Sequence, residues 1–124
     1  MRQRYPNRRI WAVAQPHTFS RTRMVANRMA HAFSDADEVI LVDIYAAREQ
    51  DDGTISSKDI VEASRHRSIR YIGDLHDAAA YVVDHIQHGD VLITLGAGDS
   101  DKVGMLVRDG LQGRRASAES EERT

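Results

Sequence analysis

Apolar runs of strand length alternate four times with longer segments in which apolar residues recur at helical spacing. The predicted strands cover residues 9–14, 38–45, 69–72 and 91–95. Alternation of strand and helix favours a mostly parallel, twisted sheet with helices on both faces. The predicted fold class is therefore α/β, Rossmann-like, in a single domain.

The helices predicted between these strands cover residues 20–33, 57–65, a segment after Asp74, and a last segment that contains Val103 and Leu111. Ser20, Ser56 or Ser57, and Asp74 stand where N-cap side chains are preferred. We predict one folded domain over residues 1–113 and a polar, disordered tail over residues 114–124.

Composition excludes several classes of protein. The chain has 124 residues, a formal net charge of -2 and no cysteine, so disulfide scaffolds and thiolate metal sites are excluded. The charge balance gives no reason to expect nucleic acid or a membrane as partner. No apolar run approaches the roughly 20 residues that span a bilayer.

The polar motifs all follow predicted strands. They are the segments 17–21, 45–49, 73–74 and 96–99. In a parallel sheet the loops that follow the strands share one edge, where ligands bind in open α/β folds. We therefore expect these four loops to lie along a single edge.

The segment 15–23 indicates an anion site. Pro16 should end the preceding strand, and His17 and Arg21 then fall on a strand-to-helix turn. Arg21 and Arg23 oppose the dipole of the helix that begins there, so these cations need another partner. Because a guanidinium matches carboxylate or phosphate geometrically, His17 and Arg21 are the candidate ligands.

Three other patterns carry weaker indications. Gly96 and Gly98, followed by Asp99, could form an anion-binding loop or only a tight turn, since neither a Walker A motif nor a full dinucleotide fingerprint is present. Asp43 follows a strand as a phospho-acceptor would, but without the further carboxylates that hold magnesium. His85 and His88 lack a third metal ligand nearby.

Three blocks of sequence, in this order, carry a resemblance. They are residues 9–23 with Gln-Pro-His-Thr-Phe-Ser-Arg at 15–21, residues 43–49 with Asp-Ile-Tyr-Ala-Ala-Arg-Glu, and residues 89–99 ending in Gly-Ala-Gly-Asp. Together they resemble the C-terminal domain of the Mur ligases over about residues 4–112. Within that family the first block is most similar to the members that join L-alanine to UDP-N-acetylmuramate.

The resemblance implies a three-domain, cytoplasmic, ATP-dependent ligase of peptidoglycan synthesis. Other domains of that parent would bind ATP, Mg²⁺ and UDP-N-acetylmuramate. The resemblance places His17 and Arg21 near the carboxylate of L-alanine, with Thr18, Tyr45 and Glu49 as further substrate-binding candidates. It implies no catalytic residue, metal ligand or cofactor for this chain alone.

The chain departs from the family pattern in several places. A Gly-Lys-Thr loop, the UDP-sugar domain, and the first strand and helix of the C-terminal domain are absent from the sequence. Thr18 and Arg48 replace residues common in relatives. We expect the 124-residue chain alone to be inactive. An exposed sheet edge should favour self-association. The alternatives are a free-standing, non-catalytic module that binds a small anion, or a domain of a murein-peptide recycling ligase.

Overall fold

The computed structural model describes residues 7–46, 49–50, 53, 55–96 and 100–123. Strands and helices alternate along these ranges: β1 (Ile10–Gln15), α1 (Phe19–Ala30), β2 (Glu38–Leu41), α2 (Ser57–Ala63), β3 (Ile69–Tyr71), α3 (Leu75–His85), β4 (Val91–Gly96) and α4 (Ser100–Arg123). The strands form one parallel sheet in the order β3-β2-β1-β4. The predicted α/β fold with a parallel sheet is confirmed.

The core lies in two layers, one on each face of the sheet. Every residue of β1 is buried, as expected for a central strand of a parallel sheet. Because side chains alternate along a strand, Ile10 and Ala12 face one layer and Trp11 and Val13 the other. The first layer includes Ile60 of α2 and partly buried residues of α1, and the second is formed by α3 and α4.

The predicted helix caps are only partly correct. Asp74 caps α3 as predicted, because its side chain accepts hydrogen bonds from the backbone N–H groups of His76 and Asp77. The prediction of Ser20 as the cap of α1 is wrong. The helix begins one residue earlier, at Phe19, and Thr18 is its N-cap.

The last helix is longer than the sequence predicted. Val103 and Val107 are buried against the sheet, whereas Leu111 is 38% exposed. The backbone nevertheless stays helical to Arg123, through residues for which we predicted a disordered tail. Alanine, arginine and glutamate, which are strong helix formers, dominate that stretch, and it contains no proline. No helix of the described ranges, α4 included, is both long and apolar enough to cross a membrane.

The chain after β2 continues alongside the central strand. β2 ends at Leu41 and not at Tyr45, but Val42 N–H still donates to Ala14 C=O at 3.1 Å. Farther on, Tyr45 N–H donates to Pro16 C=O at 2.9 Å, and His17 and Tyr45 form an isolated parallel bridge. The loop that follows β2 is therefore held against the loop that follows β1.

Candidate functional site

Three of the predicted site residues lie at the carboxyl edge of the sheet. His17 follows β1, Tyr45 follows β2, and Gly96 ends β4 in register with Gln15 of β1. The expectation that they share one edge is confirmed for these residues. Gly98 and Asp99 lie outside the described residues, as does Arg48.

Backbone hydrogen bonds join the loop after β1 to the loop after β2. Thr18 N–H donates to Tyr45 C=O at 2.8 Å, and Tyr45 N–H donates to Pro16 C=O at 2.9 Å. The rings of His17 and Tyr45 are tilted by 31° with their centroids 5.5 Å apart. Tyr45 thus fixes both the backbone and the ring environment of His17.

The backbone of Thr18 is strained. Its φ of 57° and ψ of 149° fall in a region that L-residues other than glycine rarely adopt. Such a conformation costs about 1–3 kcal/mol and is found mostly at functional sites, where surrounding contacts impose it. Here Thr22 supplies contacts: its hydroxyl and its N–H both donate to Thr18 C=O, at 2.6 and 3.1 Å.

Glu49 reaches the start of α1 from the loop after β2. One carboxylate oxygen accepts from Ser20 N–H at 3.0 Å and the other from the Ser20 hydroxyl at 2.5 Å. These two hydrogen bonds lower the pKa of Glu49 below its usual value of 4.5, with smaller contributions from Phe19 N–H and the positive charge of Arg23. Because α1 has no acidic residue in its own first turn, Glu49 supplies the negative charge that a helix N-terminus favours.

The side chain of Arg21 is exposed on the same turn. Its backbone N–H donates to the Thr18 hydroxyl at 3.4 Å. Its guanidinium makes no hydrogen bond or ion pair with any residue that the structure describes. His17, four residues earlier in the chain, is half-buried. The turn therefore presents a guanidinium that is free to receive an anion from solution.

A polar cavity of about 390 Å³ adjoins this turn. It is lined by Phe19, Asp43, Ile44, Ser56, Ser57, Lys58 and Tyr71. The Tyr71 hydroxyl donates to Asp43, and this hydrogen bond, with burial, raises the pKa of Tyr71 to about 12. The Lys58 ammonium lies 5.4 Å from the centroid of the Tyr71 ring.

The sequence did not reveal Tyr71, Lys58 or Ser57 as parts of this region. The Ser57 hydroxyl donates to Val42 C=O at 2.5 Å and is buried, so it ties α2 to the end of β2. The position of Tyr71, a polar residue at the end of a strand, could have marked it as a site residue. Its hydrogen-bond partner Asp43, however, is 28 residues away in sequence. Only the sheet brings the two together.

The described side chains do not fit a Mg²⁺ site. Across the ranges that the structure describes, no three His, Cys, Asp or Glu side chains come together as metal ligands would. His85, one of the histidines considered from sequence, stacks on Tyr81 with ring centroids 4.1 Å apart and contacts Tyr81 C=O. Since the sequence also lacks a Gly-Lys-Thr loop, we derive no reaction step through ATP or Mg²⁺ on this chain.

Gly96 has a packing role at this edge. Its φ is 116°, and a Cβ there would overlap Gln15 C=O in the neighbouring strand. Glycine is therefore required for β4 to end beside β1, whether or not an anion binds to the loop that follows.

Comparison with known proteins agrees with the fold and the motifs. The family model described as Mur ligase, glutamate ligase domain matches residues 1–98. A UDP-N-acetylmuramate–L-alanine ligase of Alkaliphilus metalliredigens is 44% identical over 98 residues, which are 78% of this chain and 21% of that protein. The ligase of the same name from Lachnospira eligens is 48% identical over 102 residues, which are 81% of this chain and 22% of that protein.

This chain spans about a fifth of the length of these curated relatives. Among solved structures, a UDP-N-acetylmuramate-alanine ligase from Thermotoga maritima matches with a TM-score of 0.67 and 18% identity, covering 91% of this chain and 22% of that one. That likeness concerns the fold, while the family match and the sequence identities concern ancestry. The chain belongs to the Mur ligase family, and the matched segment is the C-terminal domain of that family.

Proposed function

We propose that this chain is the C-terminal domain of a cytoplasmic, ATP-dependent ligase that joins L-alanine to UDP-N-acetylmuramate, and that it holds the carboxylate of the incoming L-alanine. The observation that carries the proposal is the exposed guanidinium of Arg21, free of partners among the described residues, on a turn fixed by Tyr45 and Glu49. The names of the curated relatives support the choice of substrates.

The charges around the turn suit a carboxylate ligand. Glu49 occupies the hydrogen-bond donors of Ser20, and its negative charge offsets the cations in the first turn of α1. The guanidinium of Arg21 takes no part in the contact between Glu49 and Ser20. A planar guanidinium can hold a carboxylate through two parallel hydrogen bonds, which fixes the direction of the ligand as well as its position.

In this proposal the chain binds and orients the amino acid, and the other domains of the parent bind ATP, Mg²⁺ and UDP-N-acetylmuramate. An amine attacks an activated carboxyl carbon efficiently only when the two are held close and aligned. Holding the L-alanine carboxylate on α1 would limit the positions that its amine can take. The expected contribution is therefore to orientation and affinity.

Kinetics of the full-length parent enzyme test the proposal. A charge-assisted hydrogen bond contributes about 1.5–3 kcal/mol, so Arg21→Ala should lower kcat/KM for L-alanine by roughly 10- to 150-fold. The KM values for ATP and the UDP-sugar should change little. Arg21→Lys keeps the charge but loses the planar fork, and should recover part of the loss.

Arg28→Ala is the matched control, because Arg28 is also an exposed arginine of α1 but lies in the last turn. It should leave all three substrate dependences unchanged. If Arg21→Ala behaves like Arg28→Ala, the carboxylate is held elsewhere. The alternative, a free-standing anion-binding module, is decided by a separate observation: it is favoured if the gene encodes no ATP-binding segment.

A further inference from the structure

We propose that Glu49 is a positioning residue that fixes the first turn of α1 through Ser20, and does not itself contact the substrate. This inference rests on the proposed function, because the turn that Glu49 fixes is the one that presents His17 and Arg21. It changes the role expected for Glu49, which the sequence comparison grouped with the substrate-binding candidates.

The first argument is the geometry of the carboxylate. Both oxygens of Glu49 are engaged by a single residue, one by Ser20 N–H at 3.0 Å and one by the Ser20 hydroxyl at 2.5 Å. Ser20 does not cap its own helix, since Thr18 has that position. A carboxylate 29 residues away in sequence therefore satisfies a backbone donor in the first turn of α1.

The second argument is electrostatic. The first turn of α1 carries Arg21 and no acidic residue, and Arg23 follows as the fifth residue of the helix. Cations are unfavourable at a helix N-terminus, where the backbone dipole is positive. Glu49 supplies a negative charge from another loop and offsets part of the positive charge at the turn, while the Arg21 guanidinium stays available for a ligand.

The third argument is mechanical. The loop after β2 is hydrogen-bonded to the turn at two points. Tyr45 C=O accepts from Thr18 N–H, and the Glu49 carboxylate accepts from Ser20. Glu49 N–H itself donates to Ala46 C=O at 2.9 Å. The strained residue Thr18 makes the first of these contacts and lies two residues before Ser20, which makes the second. Loss of the Glu49 contact would let Thr18 relax toward an ordinary conformation and would move the start of the helix.

Steady-state kinetics of the full-length parent provide the functional half of the test. Misplacement of a binding group by about 1 Å can cost on the order of 100-fold in rate, so Glu49→Ala should lower kcat/KM for L-alanine by roughly 10- to 100-fold. Ser20→Ala removes only the hydroxyl hydrogen bond, because Ser20 N–H still donates to Glu49, and its loss should be smaller. Because both act on one contact, the double variant should be no worse than the more affected single variant. Glu49→Gln keeps an acceptor oxygen and should recover part of the activity.

Glu62→Ala is the control, since Glu62 is exposed on α2 and forms no hydrogen bond or ion pair within the described ranges. It should behave as wild type. If the two effects multiply in the double variant, then Glu49 acts on the substrate independently of Ser20 and the proposal is overturned.

Amide hydrogen exchange of the parent enzyme without substrates provides a readout that does not depend on the reaction. Glu49→Ala should speed exchange in the first turn of α1, at Ser20 and Thr22, while Glu62→Ala should not. Unchanged exchange in Glu49→Ala overturns the positioning role even if Arg21→Ala confirms the proposed function. If exchange is faster in Glu49→Ala but Arg21→Ala leaves kcat/KM for L-alanine unchanged, the positioning role is supported and the proposed function is refuted.

Discussion

The hydroxyl of Tyr71, at the end of β3, donates a hydrogen bond to the carboxylate of Asp43, which lies just beyond β2. Gly73 passes close beside both side chains, and a Cβ at that position would lie 2.7 Å from each carboxylate oxygen of Asp43. The end of β3 and the segment that follows β2 therefore meet here, and Tyr71 and Asp43 both line the polar cavity. This contact gives two predictions, one about titration and one about packing.

The titration of Tyr71 should be displaced to high pH. Its pKa is raised from 10.0 to about 12, chiefly by the hydrogen bond to Asp43. Since the folded state favours the protonated phenol, this contribution to stability is complete below pH 10 and is lost as the pH rises through about 12. The absorbance of tyrosinate, compared between wild type and Tyr71→Phe, isolates this group among the 4 tyrosines.

Asp43→Asn should bring the Tyr71 titration back toward its ordinary range, because the variant removes the negative charge that favours the protonated phenol. A wild-type Tyr71 that titrates near 10 would show that the hydrogen bond does not persist in solution.

Gly73→Ala should destabilise the fold. The added methyl group would overlap the Tyr71 hydroxyl and the Asp43 carboxylate, which are the outer ends of two side chains at the surface. These ends can move apart at the cost of their hydrogen bond, which contributes about 1 kcal/mol. Urea denaturation measures the loss. Gly113→Ala is the matched control, because no atom lies within 4 Å of a Cβ there and the residue is helical. It should be neutral or stabilising by up to about 1 kcal/mol, and equal losses in the two variants would contradict the packing argument.

Acid should weaken the hydrogen bonds between the Glu49 carboxylate and Ser20 at the start of α1. The pKa of Glu49 is lowered below 4.5 by its hydrogen bonds with Ser20. The carboxylate form therefore stabilises the fold at any pH above the unfolded value, and this contribution is lost as the pH falls through the lowered pKa. Thermal melts between pH 7 and pH 3 should show a steeper loss for wild type than for Glu49→Gln. Parallel curves would mean that the carboxylate does not stabilise the fold.

The free edge of the sheet should favour self-association of the 124-residue chain. Among the described residues β4 pairs with β1 alone, and unpaired strand edges tend to pair with another chain. Val91 N–H donates toward β1, so Thr94, three residues on, directs its N–H outward. Thr94→Pro should therefore reduce association in sedimentation experiments. A wild-type monomer at all concentrations would refute this prediction.

The isolated chain should neither hydrolyse ATP nor bind it tightly. The described residues do not bring metal ligands together, and the sequence has no Gly-Lys-Thr loop. Titration calorimetry with ATP and Mg²⁺ should give no saturable signal at micromolar concentrations. Micromolar affinity would contradict our placement of the nucleotide on other domains.

Sequence predicted best what depends on local patterns. The periodicity of apolar residues predicted the order of strands and helices, and the apolar run at residues 10–14 indicated a buried strand. Asp74 was recognised as a cap because its partners, His76 and Asp77, lie within three residues of it. The shared edge of His17 and Tyr45 followed from the parallel topology.

The features that sequence missed depend on distant partners or on strain. Ser20 satisfies the local rule for an N-cap, but Glu49 competes for its hydroxyl and Thr18 takes the cap in a conformation that propensities disfavour. The pair of Tyr71 and Asp43 arises only when β2 and β3 lie side by side. Both errors concern the site, where local preference and tertiary contacts disagree.

The strand order β3-β2-β1-β4 has a consequence for where a ligand can enter. From β1 the chain moves outward to β2 and β3, and then returns to the opposite side of β1 to form β4. The helices that follow β1 and β4 pack on opposite faces of the sheet, α1 on one and α4 on the other. The carboxyl ends of β1 and β4 therefore lie side by side at a topological switch point, the position at which ligands bind in open α/β sheets.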